Sequence, residues 1–561
     1  MKIINKISEH IISDKNGHFL YFSSILILLL VLCFIFFPIR PGHDYLFHIR
    51  RFSVLIDAIS KGDFFIYLDY GTLEQYGYFT KGFYPDLTLM PFALIGTFTG
   101  PFVAYEIMIY TMAFLCGVFT YQATKRVFHS SAISFVSAIL FTFSYYKLVD
   151  TYLRAALGET LAFTFIPLIF WGLYEIIKGN HRKWYILTIG MSLTILSHVI
   201  SSIIVCIPIL LIVIFSYKHF IKSHIRFYSL LLSVGATILV TAYFIFPLLE
   251  LISSDTFYYQ VYMWNHATGH EFYRIIWDML NGILPTIKSK FMVGCGIVIT
   301  WIIGLRLFIT QKSELLKKAD SLLIIGLICL FIMSPLYPWN TFPFSILNII
   351  QFSWRLYLII SFFFAVGGSI YLYIALKTDL RRVKIGIPLV IILTAIMIVS
   401  SGQDYQNTIH ASDTNETTAS FKNRYVLYGG EYLPAKVPQD PADFVHSRLD
   451  SIGRNNPNTV VSALNRERNL LKLNVNVSSP DTLELPLIHY IGYKATINGI
   501  ETQISESDNG LINVTVSEPA DIEVYYAGTS TQKISWGVTL ISILGLCIYI
   551  LLVNKGRKNS G

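Results

Sequence analysis

Charge is scarce in this chain. Only 14% of its 561 residues are Asp, Glu, Lys or Arg, against about 25% in an ordinary soluble domain. With 54% hydrophobic and 15% aromatic residues, that deficit excludes a disordered polymer, a coiled coil and a soluble enzyme of this length. Cysteine is also sparse. The six cysteines all lie in apolar runs and form no Cys-x-x-Cys, which excludes a cysteine zinc site, a redox motif and a disulfide-stapled polar domain. No Gly-x-x-x-x-Gly-Lys-Ser/Thr, Gly-x-Ser-x-Gly or His-Glu-x-x-His occurs. ATP-driven transport and serine hydrolysis lose weight accordingly.

What the chain has is long apolar runs, the clearest at 19–37, 227–249, 352–376 and 534–553. About 20 such residues make a helical span. The first run exceeds the roughly 7–15 residues of a signal-peptide core, and Phe-Pro-Ile-Arg-Pro follows it, so it reads as a retained anchor. The net charge of +8 is unevenly placed. Residues 402–533 hold ten Lys and Arg against sixteen Asp and Glu, a balance of −6, which leaves +14 elsewhere. The basic residues sit in short loops between spans, for example Lys125-Arg126 and Lys377 to Lys384. This is the cytoplasmic-loop pattern and not a nucleic-acid surface.

Placing every basic loop inside yields twelve crossings: 19–38, 102–122, 131–147, 160–177, 184–198, 200–216, 227–249, 291–309, 320–335, 352–376, 384–401 and 534–553. Both termini are then cytoplasmic, and 87–99 is a short re-entrant or interfacial helix. The expected fold is a mainly α polytopic membrane protein with a small extracellular β-sandwich-like domain before the last helix. Its parts are a transmembrane domain, 1–401, with a long first outer loop, 40–86; a β-rich domain, 402–533; and a closing helix with a basic tail, 534–561. Leu471, Leu473, Val475 and Val477 alternate with polar residues, as do Leu483, Leu485 and Leu487, the period of half-buried strands. Asn498-Gly499 and Asn509-Gly510 mark turns.

Few ionisable residues fit neither account, and they fall in the outer loops. Asp44 follows a Pro-Gly break, with His48 four and Arg51 seven residues later, on one face if helical. A carboxylate beside an imidazole can act as a general base or share a divalent metal; a solvated helix start is the plain alternative. Arg154 and Glu159 flank small residues that permit close approach. The Arg154 fork suits a phosphate, or it forms a surface pair with Glu159. Arg355 lies at the start of a span between aromatics, as a functional charge or an interfacial anchor. His198, between two short spans, reads first as structural. His266, His270 and Glu271 lack a known metal-ligand spacing.

The segments Gly42-His43-Asp44 to His48-Ile49-Arg50, Gly77-Tyr78, Phe83-Tyr84-Pro85, Tyr152 to Glu159, Ser197-His198 and Gln351-Phe352-Ser353-Trp354-Arg355 resemble the motifs of a bacterial family labelled 6-pyruvoyl-tetrahydropterin synthase-related. The β domain and closing helix resemble the tail of YfhO-like proteins. The architecture looks like that of the GT-C glycosyltransferases, which use polyprenyl-phosphate-linked sugars outside the membrane. The resemblance implies a cell-membrane enzyme whose partners are membrane lipid, a lipid-linked sugar and an envelope glycan acceptor. Asp44, with His48, would deprotonate the acceptor. Arg154 and Arg355 would hold the phosphate, oriented by Glu159 and His198. Tyr84, Trp354 and Trp264 would line the site. A lipid or solute transporter, or a non-catalytic envelope-assembly scaffold, are the alternatives.

Overall fold

The computed structural model describes residues 17–39, 42–64, 67–262, 268–281, 293–376, 380–412, 430–467 and 469–558. The chain is a mainly helical polytopic membrane protein with an antiparallel β region before the last helix. Among the described residues, seven helices are long and apolar enough to cross a membrane, and an eighth crossing is reached if the bent pair His224–Val240 and Ala242–Ser254 counts as one span. The twelve-crossing expectation is therefore not met by length and composition. Tyr185–Ile195, Val199–Phe215 and Ile297–Gly304 are short helices. Glu314–Met333 carries Lys317, Lys318 and Asp320 along its first half. Met90–Thr99 has ten residues, about 15 Å of helix, half of the roughly 30 Å hydrocarbon core.

Helix contacts rest on small residues, as expected where lipid supplies no hydrophobic drive between helices. Ile166–Ile177 and Tyr185–Ile195 lie against each other through reciprocal glycines. A Cβ on Gly172 would overlap the Leu187 backbone, and one on Gly190 would meet the Ile169 nitrogen at 2.8 Å.

The helix expected to end at 401 continues to Ser412, so the first part of the acidic block is helical. Among the described residues, the β region holds nine strands in two antiparallel sheets. One orders β1 (Gly453–Arg454), β4 (Asp481–Ile488), β8 (Leu511–Val516) and β7 (Ser505–Glu506). The other orders β2 (Val460–Glu467), β3 (Leu470–Asn476), β9 (Ala520–Tyr526), β5 (Tyr493–Ile497) and β6 (Ile500–Thr502). Leu471, Leu473, Val475, Leu483, Leu485 and Val514 meet in one buried core. Asn498 (φ +50°) and Gly499 (φ +79°) turn β5 into β6, both at the positive φ that a tight hairpin demands.

The first long loop is not free. Leu68, Leu73, Tyr76, Tyr78 and Phe79 join the β core, and the Ile488 N–H donates to the Tyr76 carbonyl at 2.9 Å. The segment after helix Gly17–Phe36 thereby ties the membrane helices to the β domain about 400 residues later.

Gly172→Leu should lower the melting temperature of the detergent-purified protein by several degrees. Gly235→Ala, at a helical site with nothing within 4 Å of the added carbon, should hold or raise it, since Ala is favoured over Gly in a helix by about 0.5–1 kcal/mol.

Candidate functional site at one end of the helices

The site begins with a wide turn. Val149–Leu153 forms a π-type turn in which the Arg154 N–H donates to the Val149 carbonyl at 2.9 Å. Ala155 follows at φ +53°, a conformation that costs a non-glycine residue on the order of 1 kcal/mol. The result is that one guanidinium faces two carboxylates of its own loop. Arg154 Nη1 donates to Asp150 Oδ1 and to Glu159 Oε2, the latter at 3.1 Å. Tyr146 donates to Glu159 Oε1 at 2.5 Å, and Thr160 to Asp150 Oδ2 at 3.4 Å. All of these side chains are buried.

Arg355 enters from the single turn Ser353–Leu356, just before helix Tyr357–Leu376. Its Nε lies 3.6 Å from Glu159 Oε2, and its Nη1 donates to the Ile350 carbonyl at 3.1 Å and to Gln351 Oε1 at 2.9 Å. The Arg154 guanidinium sits 4.4 Å from the Trp354 ring centroid, a cation–π contact. Isolated charges at this depth cost several kcal/mol each, and mutual pairing offsets that cost.

Two glycines let the neighbouring segments close in. A Cβ on Gly42 would meet the Leu153 carbonyl oxygen at 2.6 Å, and one on Gly158 would meet that of Ser197 at 2.9 Å. Gly42 brings Asp44 down: the His43 and Asp44 N–H groups donate to the Leu153 and Arg154 carbonyls at 3.3 and 2.8 Å. Asp44 is the residue before helix Tyr45–Ser60. Among the described residues its carboxylate accepts no hydrogen bond, unlike Asp150 and Glu159. Burial raises its pKa above the usual carboxylate range, Arg154, Arg355 and His43 pull it back, and Glu159 adds to the rise.

His48 and Arg51 lie on the buried face of that helix. The His48 ring packs edge-on to Tyr84, 5.6 Å between centroids, and its Nδ1 has no hydrogen-bond partner. Among the described residues only a backbone bond joins His48 to Asp44, the His48 N–H donating to the Asp44 carbonyl at 3.1 Å, and the expected carboxylate–imidazole hydrogen bond is not formed. Burial, with Arg51 beside it, lowers the His48 pKa well below its ordinary value. Arg51 stacks on Tyr84 at 4.9 Å and donates to Asp86 Oδ1 at 3.0 Å, while Lys81 pairs with Asp86 Oδ2 at 3.2 Å. Tyr84 also stacks on His198 at 6.4 Å. The His198 Nδ1 is occupied: it caps helix Val199–Phe215, facing the Ser201 hydroxyl at 2.8 Å and N–H at 3.3 Å.

The structure thus gathers Asp44, His48, Tyr84, Arg154, Glu159, His198, Trp354 and Arg355 at one end of the helices. Trp264 lies outside the described residues, as does His266. Two residues of the network were not singled out from sequence. Asp150 stands four residues before Arg154, a helical pairing distance that could have flagged it. Glu431 arrives from the acidic block, where no local pattern marks it. Tyr432, next to it, stacks on Phe83 at 4.4 Å, and its N–H donates to the Tyr78 hydroxyl at 3.3 Å. This wedges the pair into the rings around Tyr84. Glu431 Oε2 is buried without a partner, and burial raises its carboxyl to about 7, with Asp44 adding to the rise.

The donor set does not fit a metal at Asp44. Its nearest charges are two guanidinium groups, and the other carboxylates are engaged by Arg154. The one group of His, Cys, Asp and Glu side chains placed to hold a metal, among the described residues, is Asp255, His489 and Glu506, with ligand atoms within 4.8 Å of one another.

Glu431 generates a pH prediction. Its carboxyl is raised from 4.5 to about 7 in the fold, so the folded state holds a proton there that the unfolded chain has lost. That contribution to stability is present at low pH and falls away as pH rises from about 4.5 through 7. Glu431→Gln should flatten this part of the melting temperature–pH curve and raise the melting temperature at pH 8. An unchanged curve would refute the assignment.

No family model matches the chain, so the family labels read from its motifs gain no support there. An uncharacterised protein of Lactococcus lactis subsp. cremoris (strain MG1363) is 23% identical over 357 residues, covering 61% of this chain and 58% of that protein. The chain therefore matches little over half the length of that relative. Among solved structures, the archaeal oligosaccharyltransferase AglB from Archaeoglobus fulgidus, in complex with an inhibitory peptide and a dolichol-phosphate, aligns with a TM-score of 0.37 and 11% identity over 74% of this chain and 61% of its own.

Proposed function

We propose that the chain is a membrane glycosyltransferase that moves a sugar from a polyprenyl-phosphate-linked donor to a cell-envelope acceptor at the outer face. The observation that carries the reading is the pairing state of the buried charges. Asp150 and Glu159 are engaged by Arg154, whereas among the described residues the Asp44 carboxylate accepts no hydrogen bond and feels two guanidinium groups. A base and an anion-binding pair stand side by side, which is what transfer from a phosphate-linked donor needs.

In the reaction the acceptor oxygen bonds to the anomeric carbon. The bond from that carbon to the phosphate oxygen breaks, and its electron pair stays on the phosphate. The acceptor proton passes to Asp44 as general base. Arg355 and Arg154 stabilise the charge that develops on the leaving phosphate. Glu159 and Gln351 hold Arg355 in place, and Trp354 holds Arg154. Tyr84, Tyr432 and Phe47 pack ring against ring and would offer an aromatic face to the sugar. His48 and His198 act through Tyr84, which they flank.

A small apolar cleft, about 50 Å³ in volume, is lined by Phe64, Met90, Phe244, Pro247 and Trp536. Lys81 and Asp86 also belong to its wall, and their ion pairs lead through Arg51 to Tyr84.

Asp44→Asn should cut sugar transfer by about 10²–10⁴-fold, the usual worth of a general base, while membrane levels stay unchanged. Cells lacking the protein should accumulate a lipid-linked sugar, cleared by the wild-type chain and not by the variant. Undiminished transfer by Asp44→Asn would sink the assignment.

A further inference from the structure

Away from the charged site, three side chains from distant parts of the chain converge at the seam between the membrane helices and the β domain. Asp255 closes the C-terminal end of helix Ala242–Ser254. His489 follows β4, and Glu506 ends β7. Each offers one ligand atom, and these lie within 4.8 Å of one another, a spread that side-chain rotation closes. We propose that Asp255, His489 and Glu506 bind one divalent transition-metal ion of the zinc type. The inference does not depend on the transfer reading.

The pairing of each ligand supports it. Lys436 donates to Glu506 Oε2, which leaves Oε1, and that oxygen is buried with no hydrogen bond. Asp255 Oδ1 accepts from the Thr256 N–H at 2.6 Å, which leaves its other oxygen. The His489 backbone is pinned, its N–H donating to the Gly510 carbonyl at 2.9 Å. Among the described residues no hydrogen bond takes either of its ring nitrogens. Two carboxylates stand together with one ammonium paired to them, a net negative charge that favours a bound cation. One imidazole and two carboxylates suit zinc-like ions; a hard ion such as Mg²⁺ prefers an all-oxygen, octahedral set.

Such an ion would fasten the two halves of the molecule. Next to Asp255, Phe257 forms a β-bridge with Pro434, and the Ala435 N–H donates to the Thr256 carbonyl at 2.8 Å. The tied segment is the one that carries Lys436 and, five residues earlier, Glu431.

Titration of the full-length, metal-free protein in detergent with Zn²⁺ alone should show one saturable site per chain by calorimetry. His489→Gln and Glu506→Gln should each weaken it at least tenfold, and Asp44→Asn should leave it intact. Co²⁺ in place of Zn²⁺ should give a visible absorption band that His489→Gln removes, a readout independent of thermal stability. Absence of saturable binding overturns the proposal. So does binding equal to wild type in both variants, or loss of binding with Asp44→Asn instead.

Discussion

The arrangement at the end of the helices depends on keeping the Arg154 guanidinium out of water. A charge buried alone is costly, and the chain meets that cost by folding two carboxylates of one short loop around it. The wide turn at Val149–Leu153, the positive φ of Ala155 and the glycine at Gly158 are all local consequences. None of them is favourable alone. Together they let Asp150 and Glu159 reach the same nitrogen. Once these partners are used, Arg355 finds the remaining side of Glu159, and Asp44 is left as the carboxylate without a hydrogen bond.

The β domain is part of this end of the molecule and not an appendage to it. The first loop gives its aromatic residues to the β core, and the β domain returns Glu431 and Tyr432 to the rings around Tyr84. The exchange runs both ways between segments about 350 residues apart. A loop that contributes to two cores is held at both ends, which explains why Asp44, His48 and Arg51 sit on a defined helix instead of a mobile tether.

Much of the fold was legible because hydropathy and period are local. The strands at Leu471, Leu483 and Ile522 and the turn at Asn498-Gly499 follow from alternation and from the conformational freedom of two residues. The convergence of Arg154, Glu159 and Arg355 followed from the cost of charge beside a membrane. Three things were not legible. The number of crossings depends on where helices break, as at Val240–Ala242, and breaks are set by neighbours. The packing of the His48 ring depends on Tyr84, a partner that comes from outside its own helix. Glu431 carries no local signal, because its environment is made entirely by rings from elsewhere.

Asp44 and Glu431 illustrate how environment divides one chemistry between two residues. Both are carboxylates, both are largely removed from water, and Asp44 raises Glu431. Asp44 has two guanidinium groups and His43 to favour its ionised form. Glu431 has no cation among its influences, only burial and Asp44 against a single backbone bond. Two like groups brought together cannot ionise alike. Asp44 is therefore the one whose surroundings favour the charged form, and Glu431 the one whose surroundings favour the proton. On the transfer reading, that asymmetry assigns proton acceptance to Asp44 and leaves Glu431 to donate a hydrogen bond to a sugar hydroxyl. The split arises from where the arginines stand, and the arginines stand where their own burial forces them.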